Sequence, residues 1–246
     1  MTSSTTGTLR VKRRRRPWYM LGISFNIALL FSIWFAVFIG RNLGLFFGGL
    51  VLATALAPPL VVAEKRLPHQ LSIVAGIVGA IGIVWLSCVF NDTISLWEWS
   101  RVTLVLLTYT LAISAIGLLI SRVRIPPAVV IVLSFAWLSW PIWLAPALRG
   151  RESSERVAAI LIAANPTFAI QGALSNSFPV PWAQHRIAYR LTNIGDDIPY
   201  EMPTSILRCV IAHGIIAAIA MLAAHWPRRD RAQPAHPPAD LSPRST

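Results

Sequence analysis

The sequence predicts an all-α integral membrane protein with six transmembrane helices, and three observations lead to that prediction. Charged residues make up only 13% of the 246 residues, whereas soluble domains carry about 25%. Hydrophobic residues make up 55%, and the mean hydropathy is +0.59. Six apolar runs reach roughly the 20 residues that a helix needs to cross the hydrocarbon layer. None of them alternates with the period of two that a transmembrane strand requires.

The predicted spans divide the chain into a basic N-terminal segment at 1–16, a polytopic membrane domain at 17–226 and a tail at 227–246. The six spans lie near residues 18–40, 43–63, 71–90, 102–121, 128–148 and 204–226. A long outer segment, 149–203, precedes the last span. Two consecutive prolines, Pro58 and Pro59, are expected to end or kink the second span near its cytoplasmic side.

The net charge of +12 arises from 22 Lys and Arg against 10 Asp and Glu. Nucleic-acid binders also carry such a charge, but they place it on a polar surface that most of this chain lacks. The basic residues instead concentrate on one side of the predicted membrane, at 1–16, Lys65, Arg66, Arg122 and Arg124. Under the positive-inside rule both termini are cytoplasmic, and we expect a location in the cell (inner) membrane in contact with anionic lipid. No nucleic-acid partner is expected.

The two ends of the chain are interpreted from their composition. The basic segment 1–16 and the apolar run after it invite a signal-peptide interpretation. That run is long enough to cross the membrane, whereas a cleavable core has about 7–15 residues, so an uncleaved anchor is the better interpretation. The tail 227–246 is rich in Pro, Ala and Ser, which predicts a disordered cytoplasmic segment.

The outer segment 149–203 is predicted to contain a re-entrant pair of short helices. An apolar run at 157–164 must end near Asn165, because Pro166 disfavours the helical state in the residue before it. A second apolar run follows at 167–174, and neither run is long enough to cross the bilayer. Two helices hinged at this Asn-Pro pair would enter the outer leaflet and return, provided that other spans shield their backbone. The alternative is a single bent helix at the interface.

The second half of the outer segment carries charged residues that allow two interpretations. Arg186 and Arg190 share one face of a predicted helix, and Asp196 and Asp197 follow it. These four residues line an outward vestibule, or they form a solvated interfacial helix whose arginines pair with the acids or with lipid phosphate. An acidic pair directly after a glycine is more often part of a turn, and on a helix the two adjacent side chains would point apart, so we assign the two aspartates no catalytic role.

The sequence contains no motif that predicts an enzyme: no Walker A lysine loop, no H-E-x-x-H and no G-x-S-x-G. Cys88 and Cys209 have no ligand-spaced neighbours, so neither a metal site nor a bound cofactor is expected. Arg208 and His213 lie inside the last span, where ionisable residues are costly and mark functional candidates. We expect His213 to be neutral and hydrogen-bonded between helices, and a haem-ligand role is the alternative.

Two series of glycines would allow close contact between helices. Packing within the chain and contact between two copies are both possible from the sequence. The glycines are Gly40, Gly44 and Gly48 in the first series and Gly76, Gly79 and Gly82 in the second.

The order of these features resembles the membrane subunit of an ABC-2 type (export-class) ABC transporter. A basic start precedes six spans, and a short basic turn joins the fourth and fifth spans within Ala112–Leu133. The outer segment carries ANPTFAIQGAL at Ala164–Leu174, and its Asn165 and Pro166 match an Asn-Pro pair common at that place in the family. The resemblance covers roughly Trp18–Trp226. The bacterial haem-exporter membrane subunit is a second, similar-sized relative that the chain resembles.

The resemblance implies a permease that forms the translocation path of an export system and is driven by a separate ATP-binding cassette subunit. It also implies a homodimer, or a heterodimer with another permease. The loops that would face the ATPase contain Lys65, Arg66, Arg122 and Arg124. The alternative function is a non-transporting membrane scaffold or assembly factor. The short loop at 64–70 favours that alternative, because family members carry a longer segment there that docks into the ATPase.

Overall fold

The structure, a computed structural model, describes residues 17–38, 43–140, 143, 154–174, 177 and 203–226. Within those residues every regular element is an α-helix, which confirms the predicted all-α class for the described part of the chain. The predictions for the basic segment and the tail, and for the four charged residues of the outer segment, fall outside the described residues. Those positions are 1–16, 227–246, Arg186, Arg190, Asp196 and Asp197.

The described helices follow the predicted spans closely. They are α1 (Pro17–Phe38), α2 (Leu43–Ala63), α3 (Leu67–Phe90), α4 (Leu96–Ser121), α5 (Ala128–Leu138), α6 (Ser154–Ala164), α7 (Pro166–Ala173) and α8 (Leu207–His225). The helices α1 to α4 and α8 are long and apolar enough to cross a membrane, whereas α5 is apolar but shorter over its described length. These five long apolar helices agree with a multi-pass membrane protein.

Two helices begin earlier than the predicted spans, and the residues at each start explain the difference. The α3 helix starts at Leu67 rather than near residue 71, and Pro68 lies in its first turn. Proline is favourable there because the backbone N–H that it lacks would have no partner within the helix. The α4 helix starts at Leu96 rather than near residue 102. Ser95 and Glu98 form a capping box there, so polar residues that looked like a loop are the first turn of the helix.

The second span does not end at its two prolines, although an end there was one of the two outcomes expected. The α2 helix continues through Pro58 and Pro59 to Ala63. Pro58 packs against Gly117 of α4, where an added Cβ would lie 3.3 Å from the Pro58 Cβ. Transmembrane helices tolerate proline where neighbouring helices compensate for the lost backbone bonds, and close packing on α4 provides such a neighbour.

The α4 helix is the centre of the bundle and packs against α2, α3, α5, α7 and α8. Tryptophan side chains join the helices before it through backbone carbonyls. Trp85 Nε1 of α3 donates to the Leu45 carbonyl of α2 at 3.0 Å, and Trp99 Nε1 of α4 donates to the Gly82 carbonyl of α3 at 2.9 Å. These bonds satisfy indole donors that burial would otherwise leave unpaired.

Contacts along the helices define two ends of the bundle, which we name the Glu98 end and the Arg122 end after residues of α4. The α4 and α8 helices run parallel, because Arg101 reaches Thr204 before α8 and Arg122 reaches the last residues of α8. The turn between α2 and α3 lies at the Arg122 end, since Gly117 packs against Pro58 and Val62 near the end of α2.

Candidate functional site

Two arginines attach α8 to α4 at both ends of their contact. Arg101 Nη2 donates to the Thr204 carbonyl at 2.7 Å. Arg122 Nη1 donates to the carbonyls of Ala223 and Trp226, each at 3.1 Å. The last carbonyls of a helix lack partners inside it, and a cation there also opposes the negative end of the helix dipole. The arginines therefore hold α8 alongside α4 in one register.

The Glu98 end is organised by one carboxylate. Glu98 is buried, and its Oε2 accepts hydrogen bonds from Ser95 N at 2.9 Å and from Ser95 Oγ at 2.8 Å. Ser177 Oγ, beyond the end of α7, donates to the same oxygen. A buried carboxylate needs such donors to offset its lost hydration. Glu98 therefore both caps α4 and ties the segment after α7 to this end of the bundle.

The middle of the bundle contains a buried hydroxyl pair that joins α2 to α4. Thr54 Oγ1 and Tyr109 Oη lie 3.0 Å apart, and both residues are fully buried. Ser134 of α5 supplies a second hydroxyl close to the Tyr109 phenol. Three helices thus contribute hydroxyls to one cluster, and the bond between Thr54 and Tyr109 pairs two of them at a depth where unpaired polar atoms are costly.

His213 of α8 lies beside this cluster. Its Nδ1 is 2.9 Å from the Cys209 carbonyl of the preceding turn, so the expected hydrogen bond between helices is instead a bond within α8. A carbonyl only accepts, so Nδ1 carries the proton and Nε2 of the neutral ring is an acceptor. The imidazole stands edge-on to the Tyr109 ring at 5.4 Å between centroids, and the Trp137 ring lies 6.5 Å away.

A groove of about 270 Å³ lies between α4, α5 and α8 at this level. Its walls are formed by aliphatic side chains and Trp137, together with three polar side chains from three helices: Tyr109, Ser134 and His213. Both α5 and α8 pack on α4 rather than along each other, which leaves the space open between Leu133 and Ile216. None of the described residues that line the groove is Asp, Glu, Lys or Arg.

Asn165 joins three helices at once. Its backbone N–H bonds the Leu161 carbonyl and ends α6, while its Oδ1 accepts from Thr167 N at 2.8 Å and caps α7. Its Nδ2 donates to the Trp137 carbonyl of α5 at 2.8 Å. The residue is fully buried, and Pro166 follows at the first position of α7, where it needs no donor.

The predicted basic loops all lie at the Arg122 end, and their roles differ. Lys65 and Arg66 are exposed in the three-residue turn between α2 and α3, and Arg124 is exposed with a positive φ of 63°. Arg122 is engaged with the end of α8. Whether these residues face a partner stays a prediction.

The turn between α2 and α3 is held by Glu64. Its Oε1 accepts from the backbone N–H groups of Lys65 at 2.9 Å and Arg66 at 3.1 Å, and its Oε2 lies 3.3 Å from His69 Nδ1. Partial burial raises the pKa of Glu64, but the hydrogen bonds from Arg66, His69 and Lys65 outweigh it. The pKa of this carboxyl therefore lies below its ordinary value.

The sequence singled out some of these residues and missed others. It marked His213, which lines the groove, and Arg208, which is exposed in the first turn of α8 away from the groove. It did not find Thr54 or Tyr109, because two hydroxyl residues that lie 55 positions apart in the chain form no local sequence pattern. A capping-box pattern at Ser95 and Glu98 was the available signal for the Glu98 end.

Among the described residues, no group of three or more His, Cys, Asp or Glu is placed to hold a metal ion. Comparison of the chain with protein-family models, curated protein sequences and solved structures returns no match.

Proposed function

We propose that the chain is the permease subunit of an ABC-2 type export system, forming the translocation path beside a separate ATP-binding subunit. Both termini would be cytoplasmic, and the Arg122 end would face the cytoplasm of a cell (inner) membrane. The support comes from the order of elements: a basic start, long apolar helices, a short basic turn before α5, and two short helices hinged at Asn-Pro before α8.

The observation that carries this proposal is the depth reached by the hinge between α6 and α7. Asn165 bonds Trp137, whose ring neighbours His213, and His213 contacts Tyr109. Tyr109 lies about three turns along α4 from Glu98, on the order of 16 Å at 1.5 Å per residue. Ser177 then returns to Glu98. This return from mid-bundle depth to the Glu98 end supports a re-entrant pair rather than an interfacial helix.

The parallel arrangement of α4 and α8 supports a sixth crossing at 128–148. The chain leaves α4 at the Arg122 end, yet it enters α8 at the Glu98 end, where Arg101 bonds Thr204. A segment between them must therefore return across the bundle. The apolar α5 begins directly after the turn and is the segment that fits this role.

Cysteine labelling tests the re-entrant pair. In a chain whose Cys88 and Cys209 are replaced by alanine, a membrane-impermeant maleimide added outside should label Arg156→Cys, an exposed position on α6. It should label Ala164→Cys, beside the buried hinge, much more slowly. Labelling of Ala164→Cys from the cytoplasmic side would instead place α6 across the membrane and contradict the re-entrant pair.

Association with an ATPase tests the function. A tagged chain purified from its native membrane should bring down a subunit that carries a Walker A sequence, and the chain alone should hydrolyse no ATP. Lys65→Glu with Arg66→Glu should remove that subunit, while Arg156→Glu, a charge reversal in the predicted outer segment, should retain it. The permease proposal fails if no such subunit is retrieved.

A non-transporting scaffold is the second candidate, and the turn between α2 and α3 favours it. Only Glu64, Lys65 and Arg66 separate the two helices, and Gln70 Nε2 donates to the Glu64 carbonyl at 2.7 Å. Such a turn has no room for a docking helix. If the charge reversals at Lys65 and Arg66 change no association, the scaffold becomes the better proposal.

A further inference from the structure

The groove between α4, α5 and α8 combines a mostly apolar interior with three side chains that can accept a hydrogen bond, Tyr109, Ser134 and His213. His213 is 4% exposed, and its Nδ1 proton is committed to the Cys209 carbonyl. The Nε2 atom lies on the side of the ring away from its own backbone. No described residue donates a hydrogen bond to it, and His213 lines a space of about 270 Å³. A molecule that enters this space can therefore donate a hydrogen bond to Nε2, which is an acceptor in the neutral ring.

The size and walls of the groove limit what can supply the donor. A cavity of about 150 Å³ is large enough for benzene, so 270 Å³ accommodates one substituted ring. The rings of Tyr109 and Trp137 flank the histidine and favour a flat aromatic neighbour in edge or offset geometry. A charged ligand would find no counter-ion in the wall, and burying it would be costly.

The open side of the groove indicates how such a molecule would enter. Leu133 of α5 and Ile216 of α8 line it and are also 53% and 41% exposed. Both are apolar and lie on helices that do not pack along each other. A molecule dissolved in the lipid would therefore reach His213 without crossing a polar surface, and an apolar substituent would extend back towards the lipid.

We propose that this groove binds an apolar phenol, whose ring lies beside Tyr109 and Trp137 and whose O–H donates a hydrogen bond to His213 Nε2. A phenol is a stronger proton donor than an aliphatic alcohol and is neutral at physiological pH. The site requires neither transport nor an ATPase, so it stands independently of the function proposed above.

The first test uses the unaltered full chain in phosphatidylcholine nanodiscs and three probes of nearly equal shape. Equilibrium dialysis against protein-free nanodiscs measures binding of 4-propylphenol, 4-propylanisole and propylbenzene. The phenol should bind about tenfold more tightly than the anisole, which offers no donor. Equal affinity of phenol and anisole, or no saturable binding of the phenol, would overturn the proposal.

The second test changes the acceptor. His213→Phe should lower phenol affinity to that of the anisole and leave propylbenzene binding unchanged. His225→Phe is the matched control, because His225 makes the same bond to a carbonyl one turn back, Met221 O at 2.9 Å, but is exposed and outside the groove. Its phenol preference should persist. A preference that survives in His213→Phe contradicts the assignment.

A third variant locates the site. Leu133→Trp should fill the groove and weaken the binding of all three probes by at least about tenfold. Unchanged binding would place the ligand elsewhere and overturn the proposal. Stronger binding of 1-nonanol than of 4-propylphenol would overturn the aromatic part of the proposal. If His213→Phe does not fold, the comparison of phenol with anisole on the unaltered chain still decides the question.

Discussion

The α1–α3 pair and the α4–α8 pair are both extensive and parallel, but different interactions hold them. In the first, backbones approach closely: a Cβ at Gly76 of α3 would meet Ser24 Oγ and lie 2.8 Å from the Leu21 carbonyl of α1. In the second, Arg101 and Arg122 bond backbone carbonyls at the two ends of α8. The α1–α3 pair depends on the absence of a side chain at Gly76, whereas the α4–α8 pair depends on the long side chains of Arg101 and Arg122.

This difference indicates where the molecule can hold a ligand. Close backbone contact leaves no space between α1 and α3, and such packing is stabilised by many short van der Waals contacts. Attachment at the ends holds α8 against α4, while the described part of α5 approaches α8 mainly through Trp137, and the groove lies between them beside His213. The first pair is therefore structural, and the second borders the candidate site.

The largest expected effect is a substitution at the close contact. Gly76→Ala should destabilise the protein by about 2 kcal/mol, because the added methyl group collides with α1 and overpacked interfaces cost about 1–3 kcal/mol. Gly22→Ala on α1 is the control, since no atom lies within 4 Å of a Cβ there. SDS-induced unfolding in mixed micelles measures both. Equal stability of the two variants would contradict close packing at Gly76.

The next effect concerns the end contact of α8. Arg122→Gln should lower stability by about 1 kcal/mol, the contribution of a solvent-accessible hydrogen bond to a carbonyl, and should increase hydrogen exchange in the last turn of α8. Arg124→Gly removes the same charge from the same turn. It should stabilise slightly, because Arg124 has a φ of 63° that glycine adopts without strain. Similar losses in both would indicate a general charge effect instead.

A smaller effect is expected for the hydroxyl pair beneath the groove. Tyr109→Phe and Thr54→Val each remove one side of the bond between α2 and α4. A double-mutant cycle should give a coupling of about 0.6 kcal/mol, the average for hydrogen bonds between transmembrane helices. Unfolding in mixed micelles supplies the four stabilities. Additive effects would show that the two hydroxyls do not interact.

The smallest effect is the pH dependence of the turn that precedes α3. In the folded state the pKa of Glu64 lies below 4.5, the ordinary value for a glutamate carboxyl. Ionised Glu64 therefore stabilises the protein above that pH. The contribution is lost as the pH falls through the lower, folded pKa. Glu64→Gln should therefore flatten the acid side of the stability profile. A profile unchanged by this substitution would show that the turn does not depend on the carboxylate.

Much of the fold could be predicted because its signals are local. Apolar runs gave the positions of α1 to α4 and α8, and Pro166 predicted the helix break at Asn165. The difference at the start of α4 was also local in cause: the predicted span began near residue 102, whereas the capping box of Ser95 and Glu98 starts the helix at Leu96. Pro58 and Pro59 did not end α2, and Pro58 packs against Gly117 of α4. That contact joins residues far apart in the chain, so no local sequence pattern predicts it.

The candidate site was less predictable than the fold. His213 was marked because it is an ionisable residue within an apolar run, but its hydrogen-bond partner, the Cys209 carbonyl, was not predicted. Thr54, Tyr109 and Ser134 are ordinary residues within apolar helices, and only packing brings their hydroxyls together. The glycines show the same limit: Gly48 contacts Phe35 and Gly76 contacts α1 within the chain, a choice that spacing alone left open.

The sequence by itself determined that the described chain is helical and apolar enough to cross a membrane several times, since hydropathy and helix length follow from neighbouring residues. It also determined the hinge at Asn165, because proline acts on the residue beside it. Only the tertiary structure decided that α4 is central, that two arginines hold α8 against it, and that His213 borders a groove. Those features depend on contacts between residues far apart in the chain, and no local pattern encodes them.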